Sequence, residues 1–149
     1  MKKALGAQRV APPEDKLYGD WYDLMNDAVF NRKKKEAKDR KVFANHYAPT
    51  CRTFSAAQAQ HQQRSMQSPY GDYDKVKGPI RDSVVEDSKL AVRVIALCKI
   101  HHALGDAFSI EHCWPTAMLQ FASMQELLKM PGVFVLTWDN CEFGEQYRH

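Results

Sequence analysis

Three short stretches collect side chains able to do chemistry. Cys51 stands in "HYAPTCRTFSAAQ" (46–58), Glu111-His112-Cys113 in "FSIEHCW", and Asp139-Asn140-Cys141 in "TWDNCEF". Three chemistries fit such residues. Cys51, His112, Cys113 and Cys141 are suitable zinc ligand types, but none of the short paired spacings of a structural site is present. Cys51 with His46 or His112, and an acid behind it, has the members of a cysteine hydrolase triad. The third chemistry is covalent attack on a pyrimidine. A thiolate adds to carbon 6 of the ring while a carboxyl group holds ring nitrogen 3, and carbon 5 becomes nucleophilic. That reaction needs a Cys on the loop after one strand, a Glu at the end of the neighbouring strand and a base turned out of its stack. Cys51 and Glu111 stand in those places if the chain folds as follows.

The segment "VFANHYA" (42–48) is short, apolar and aromatic, and reads as a strand ending before Pro49. "AFSIE" (107–111) and the β-branched "VFVLTW" (133–138) read as two more. Between them lie helical patterns. Tyr18, Trp21, Tyr22, Met25, Ala28 and Val29 recur at helical spacing, with the solvated run "NRKKKEAKDRK" (31–41) after them as a helix end or loop. Ser83 and Glu86 form a capping-box pattern ahead of the stripe Leu90, Val94, Leu97, which stops at Gly105. Ser123 and Glu126 repeat the pattern before a short helix that ends at Pro131-Gly132. Strands alternating with helices predict an α/β fold, a three-layer, mostly parallel sheet. In such sheets the ligand crevice lies beyond the carboxyl ends of the strands, which would bring Cys51, Glu111 and Cys141 to one edge.

The expected organisation is a flexible arm over 1–15 and a single domain over 16–149, with a long Gln- and Ser-rich loop over 55–80. Residues 58–80 of that loop are expected to be mobile or held by a partner, because they carry few apolar groups to offset ordering entropy. The 149 residues allow one core, and 44% hydrophobic with 26% charged residues is a globular composition. A net charge of +3 is too small to announce a nucleic-acid binder. No apolar run approaches the roughly 20 residues of a membrane span. Four cysteines without a Cys-x-x-Cys pair, and no secretory signal, point to reduced thiols in an intracellular compartment. Cys98 falls on the helix stripe and reads as core, and Cys113 and Cys141 read as packing residues. Cys51, in a turn beside Arg52 and near His46, is expected to be the most reactive thiol.

Taken together the motifs resemble a known family. "APTCRTFS" resembles the Pro-Cys-x-x-Phe-Ser loop of DNA cytosine 5-methyltransferases, and "FSIEHCWPTAML" the strand that ends in their Glu-Asn pair. The latter, with "VFVLTWDNCEFGEQYRH", is similar to shortened methyltransferase-like blocks of protist mobile-element and viral polyproteins. The resemblance spans residues 20 to 149 and implies a Rossmann-like methyltransferase half-fold. It implies Cys51 as nucleophile and Glu111 as the acid holding the base. Ser55 would shape the loop, and Asn140 and Arg148 would bind substrate. The sequence also departs from the pattern. Thr50 replaces a Pro, His112 replaces the Asn after the Glu, and Glu142 stands where a basic residue is usual. No Gly-rich turn of the kind that cradles S-adenosylmethionine precedes Cys51, and no target-recognition domain follows. The expectation is a remnant or fragment, inactive alone, with no cofactor of its own and S-adenosylmethionine only if another half completes it. DNA would be a weak partner. The alternative is a non-enzymatic accessory subunit whose exposed sheet edge is covered by protein partners.

Overall fold

A helix can start wherever its first turn is pre-organised, and in this chain Pro79 does that work. The structure, a computed structural model, describes residues 19–42, 44–54, 63–65 and 67–137. Its largest element is the helix α2, Gly78–Leu104, with Pro79 in the first turn and extended Lys77 as N-cap. The Ser83–Glu86 capping box does not form: Ser83 lies inside the helix, and the Glu86 carboxylate sits 3.6 Å from Arg52 instead. The C-terminus is as expected. Gly105 adopts the left-handed conformation (φ 73°), and its N–H and that of Asp106 close on the His102 and His101 carbonyls at 3.0 and 2.9 Å.

Two other helices pack around α2. Helix α1, Asp27–Lys38, is capped by Asn26, whose Oδ1 accepts from the Ala28 N–H at 2.8 Å. The expected first helix is therefore displaced along the chain. Trp21 and Tyr22 belong to a single 3₁₀ turn, and the lysine-rich run is itself helical. Arg93 of α2 ties the two helices together through the Leu24 carbonyl (2.7 Å) and the Asp27 carboxylate. Helix α3, Ala122–Leu128, starts without a side-chain cap; Ser123 is inside it with a buried, unpartnered Oγ, and Glu126 reaches across to Lys99 of α2 at 2.5 Å. The core lies where α2, α3 and the neighbouring loops meet, on Phe54, Ala91, Val94, Ile95, Cys98, Met118, Phe121, Met124 and Leu127. The Cys98 thiol is buried there and pushed up to about 12.

The three-layer, mostly parallel Rossmann-like sheet expected from the sequence does not form. The fold is mainly helical, and its only sheet among the described residues has two strands, β1 (Ala44–Tyr47) and β2 (Ala107–Ile110). These run parallel, with Ala44 opposite Ala107 and Tyr47 opposite Ile110, α2 lying between them in the chain. One face of the pair, Tyr47, Phe108 and Ile110, packs on the helical core, while Ala44, His46, Ala107 and Ser109 on the other face are exposed. Residues 133–137 form no strand. Their β-branched and aromatic residues favour a pleated, half-buried surface, but among the described residues no strand pairs with them, and Phe134 and Leu136 stay 73% and 67% exposed. Trp138 lies outside the described residues.

The region expected as a loop over 55–80 divides in the structure. Residues 55–62 and 66 are outside the described residues; 78–80 belong to α2, and the part between is docked on it. Gln63, Gly71 and Val76 are buried, and the Tyr70 ring stacks on Phe121 at 4.0 Å. Gly71 (φ 132°) lies so near α2 that a Cβ there would come within 2.4 Å of Val84. The described part of this segment meets α2 through few anchors. Here they are Tyr70 and Arg64.

Histidines also bear on stability. His101, buried under β1, meets the Asn45 amide nitrogen through Nε2 at 3.0 Å, with the Tyr47 hydroxyl at 3.2 Å. An amide N–H donates, so Nε2 accepts and the ring is neutral with its proton on Nδ1, facing Asp106 at 3.8 Å. Burial pulls the His101 pKa below 6.5, partly offset by Asp106, and His112 is lowered mainly by burial too. The unfolded chain therefore takes up these protons first as pH falls. Their contribution is complete above the unfolded value and is lost on acidification through it toward the lower folded values. We expect urea midpoints to drop between about pH 7.5 and pH 5.5, and the drop to shrink in His101→Gln. The residual slope belongs to His112.

Candidate functional site

Parallel pairing sends two loops off the same edge of the sheet. The Glu111 N–H donates to the Tyr47 carbonyl at 2.8 Å, extending the ladder one residue past β2. Beyond it, Pro49–Phe54 and Glu111–Trp114 run as neighbours. His112 holds them together: its Nε2 lies 3.3 Å from the Thr50 carbonyl and its ring meets Phe54 edge-on at 5.1 Å. This edge carries Cys51, whose side chain is exposed, and Glu111, 61% exposed.

The Cys51 turn is fixed from below. The Phe54 N–H closes it onto the Cys51 carbonyl at 3.0 Å. Asp87, 2% exposed on α2, accepts from Arg52 at 2.8 Å and from the Thr53 hydroxyl at 2.7 Å. The hydrogen bond to Asp87 raises the Arg52 pKa further. Arg64 completes the clamp. Its guanidinium lies 3.8 Å over the Phe54 ring and donates to the Thr53 hydroxyl (2.7 Å) and carbonyl (3.0 Å), the Ser88 hydroxyl (2.9 Å) and the Pro69 and Val84 carbonyls (2.8 and 3.1 Å). All these acceptors are uncharged oxygens, and burial pushes Arg64 down to about 10 against the pull of Asp87.

The electrostatics differ from what the sequence suggested. Arg52 stands next to Cys51 in the chain but spends its charge on Asp87, with Glu86 at 3.6 Å. His46 is occupied as well: Nδ1 meets the Ser109 hydroxyl at 2.9 Å and Nε2 lies 3.4 Å from the Glu111 carboxylate. The imidazole nearest the cysteines is His112, whose Nδ1 is 3.4 Å from the Cys113 sulfur. Cys113, half-buried, is pushed up to about 11, chiefly by burial and then by the charge and hydrogen bond of Cys51. Cys113, expected as a packing residue, thus lies on the loop beside the exposed thiol.

The structure therefore brings Cys51 and Glu111 to one edge. Ser55, Asn140, Arg148 and Cys141 lie outside the described residues. Among the described residues no cluster of three side chains could hold a metal ion, and no helix is long and apolar enough to cross a membrane. The described residues do not fit a cradle for S-adenosylmethionine. The turn after β1 carries Thr-Cys-Arg-Thr and no glycine, and Gly71 makes a close helix approach rather than a ligand nest. Sequence reasoning missed Asp87 and Arg64. A signal existed for the first: Asp87 falls between Val84 and Ala91 in the apolar row of α2, where a carboxylate needs a cationic or hydroxyl partner. No known protein family, curated protein or solved structure matches the chain.

Proposed function

We propose that this chain carries the thiol and carboxylate part of a protein related to cytosine 5-methyltransferases, unable to transfer a methyl group by itself. The observation that carries this reading is the position of Cys51 and Glu111, both exposed, on adjoining loops at the carboxyl edge of a parallel strand pair. A pyrimidine entering from solvent meets an unhindered thiol on one loop and a carboxyl group on the other. The clamp of Asp87 and Arg64 supplies the rigidity that such a constellation needs. Ser55, Asn140 and Arg148 keep their proposed places around the base on the strength of the sequence motifs alone.

The test is an oligonucleotide carrying 5-azacytosine, whose carbon 6 accepts a thiolate without a methyl donor. The expected product is a covalent adduct at Cys51, seen by mass spectrometry, abolished in Cys51→Ser and slowed by about tenfold or more in Glu111→Gln, since the ring is no longer protonated. An adduct that survives Cys51→Ser, or none under any condition, removes the reading.

A second reading has its own observation. Phe134, Val135, Leu136 and Trp114 are exposed, and one face of the sheet is open. An accessory subunit that binds a partner through these apolar residues would look the same. It predicts tight association with another chain and no thiol adduct.

A further inference from the structure

Cys51 and Cys113 leave parallel strands on adjoining loops, and the bond between the Thr50 carbonyl and His112 joins the residues immediately before each. Both thiols are free, and Cys51 is near enough to help raise the Cys113 pKa. The tautomer of His112 follows from its contacts. A carbonyl can only accept, so Nε2 carries the proton toward Thr50 and Nδ1 presents a lone pair to the Cys113 sulfur at 3.4 Å. Burial lowers the His112 pKa and keeps the ring neutral near pH 7, ready to take a proton.

We infer that Cys51 and Cys113 form a reversible dithiol–disulfide site, oxidised by small-molecule disulfides, with exposed Cys51 as the entry thiol, half-buried Cys113 as the resolving thiol and His112 as the base for Cys113. In the first step the Cys51 thiolate attacks one sulfur of the small disulfide. That S–S bond breaks, a mixed disulfide forms on Cys51 and one small thiolate leaves. In the second, the Cys113 proton passes to His112 Nδ1 and the Cys113 sulfur attacks the Cys51 sulfur. The second small thiolate leaves and takes up a proton. Two protein thiols lose two electrons and two protons, and the small disulfide becomes two thiols. Burial alone would leave Cys113 a poor nucleophile, which is why the imidazole contact matters. The site stands independently of the pyrimidine reading. If that reading holds, closing the disulfide withdraws the nucleophile.

The experiment uses the full reduced chain in glutathione buffers of graded oxidised fraction, quenched with acid, alkylated and mapped by mass spectrometry without reduction. The expected result is a Cys51 mixed disulfide that converts to a peptide pair joined through Cys51 and Cys113, with a mass lower by two hydrogens. Cys98 should stay unmodified until the chain is denatured. Cys113→Ser should stop at the mixed disulfide. The wild-type conversion rate should fall as pH drops through the imidazole range, and His112→Gln should slow conversion about tenfold or more near neutral pH without changing its final extent. A persistent mixed disulfide in the wild type, or Cys51 joined instead to Cys141 or to a second copy, overturns the site. A wild-type rate that ignores imidazole titration overturns the role of His112 even if its variant fails to fold.

Discussion

Asp87→Ala is expected to destabilise the fold by about 3–5 kcal/mol, the range for removing one partner of a buried ion pair. Asp87 is buried and accepts from Arg52 and Thr53. The loss does not come chiefly from Arg52, whose side chain is half exposed and can turn to water or to Glu86. It comes from the buried Thr53 hydroxyl, which loses its acceptor, and from Arg64 over the Phe54 ring, whose buried charge Asp87 offsets without touching it. Against a total stability of about 5–15 kcal/mol, such a change leaves little margin. Asp87→Asn keeps an acceptor for Thr53 and should cost less, about 1–3 kcal/mol. Arg64→Met added to Asp87→Ala should recover part of the loss, because the orphaned charge goes with it. Urea unfolding of the single and double variants measures all three. Alkylation of Cys51 under native conditions reports whether its turn has come loose. An Asp87→Ala variant within about 1 kcal/mol of the parent would mean that water or Glu86 replaces the carboxylate, and that the clamp is not what holds the turn.

Elements set by local chemistry were legible in the sequence, and those set by distant partners were not. Gly105 ends α2 because a left-handed residue can accept the chain reversal there, and the two short apolar runs around 44–47 and 107–110 pair in parallel because a helix lies between them. Once that pairing is read, Cys51 and Glu111 fall on one edge. The run over 133–137 carried as strong a strand signal as either, yet strand propensity expresses how a residue fits a neighbour, and among the described residues no strand accepts it. The capping boxes failed for a related reason. Glu86 and Glu126 find Arg52 and Lys99, cations brought near only by the tertiary fold, and the helices start at Gly78 and Ala122 instead. Arg64 was hidden in a polar, Gln-rich stretch that looked too poor in apolar groups to order itself. A single guanidinium with five oxygens and an aromatic face around it does much of what a hydrophobic cluster would otherwise do.

This chain alone is expected to transfer no methyl group to DNA. The reaction needs the donor carbon held in line about 3–3.5 Å from the attacked ring carbon, and that positioning accounts for much of the rate. In sheets of parallel strands it normally comes from a glycine-rich turn after a strand, and the described strands here are followed by Pro-Thr-Cys-Arg and Glu-His-Cys-Trp. We propose that any DNA contact is weak as well. Net charge is only +3, Arg52 and Arg93 are spent on carboxylates, and Arg64 is enclosed. Cys51 remains free to add to an extruded base, but addition without a bound donor only reverses. Calorimetry with S-adenosylmethionine should show no binding heat at micromolar chain, and a tritium-transfer assay on mixed duplexes should stay at background in the wild type as in Cys51→Ser. Transfer above background that vanishes in Cys51→Ser would require a donor site built from residues outside those described, and the chain would then be an enzyme in its own right. Transfer that appears only when a second chain is supplied is the result the exposed thiol, the exposed carboxylate and the exposed apolar side chains at 134–136 lead us to expect.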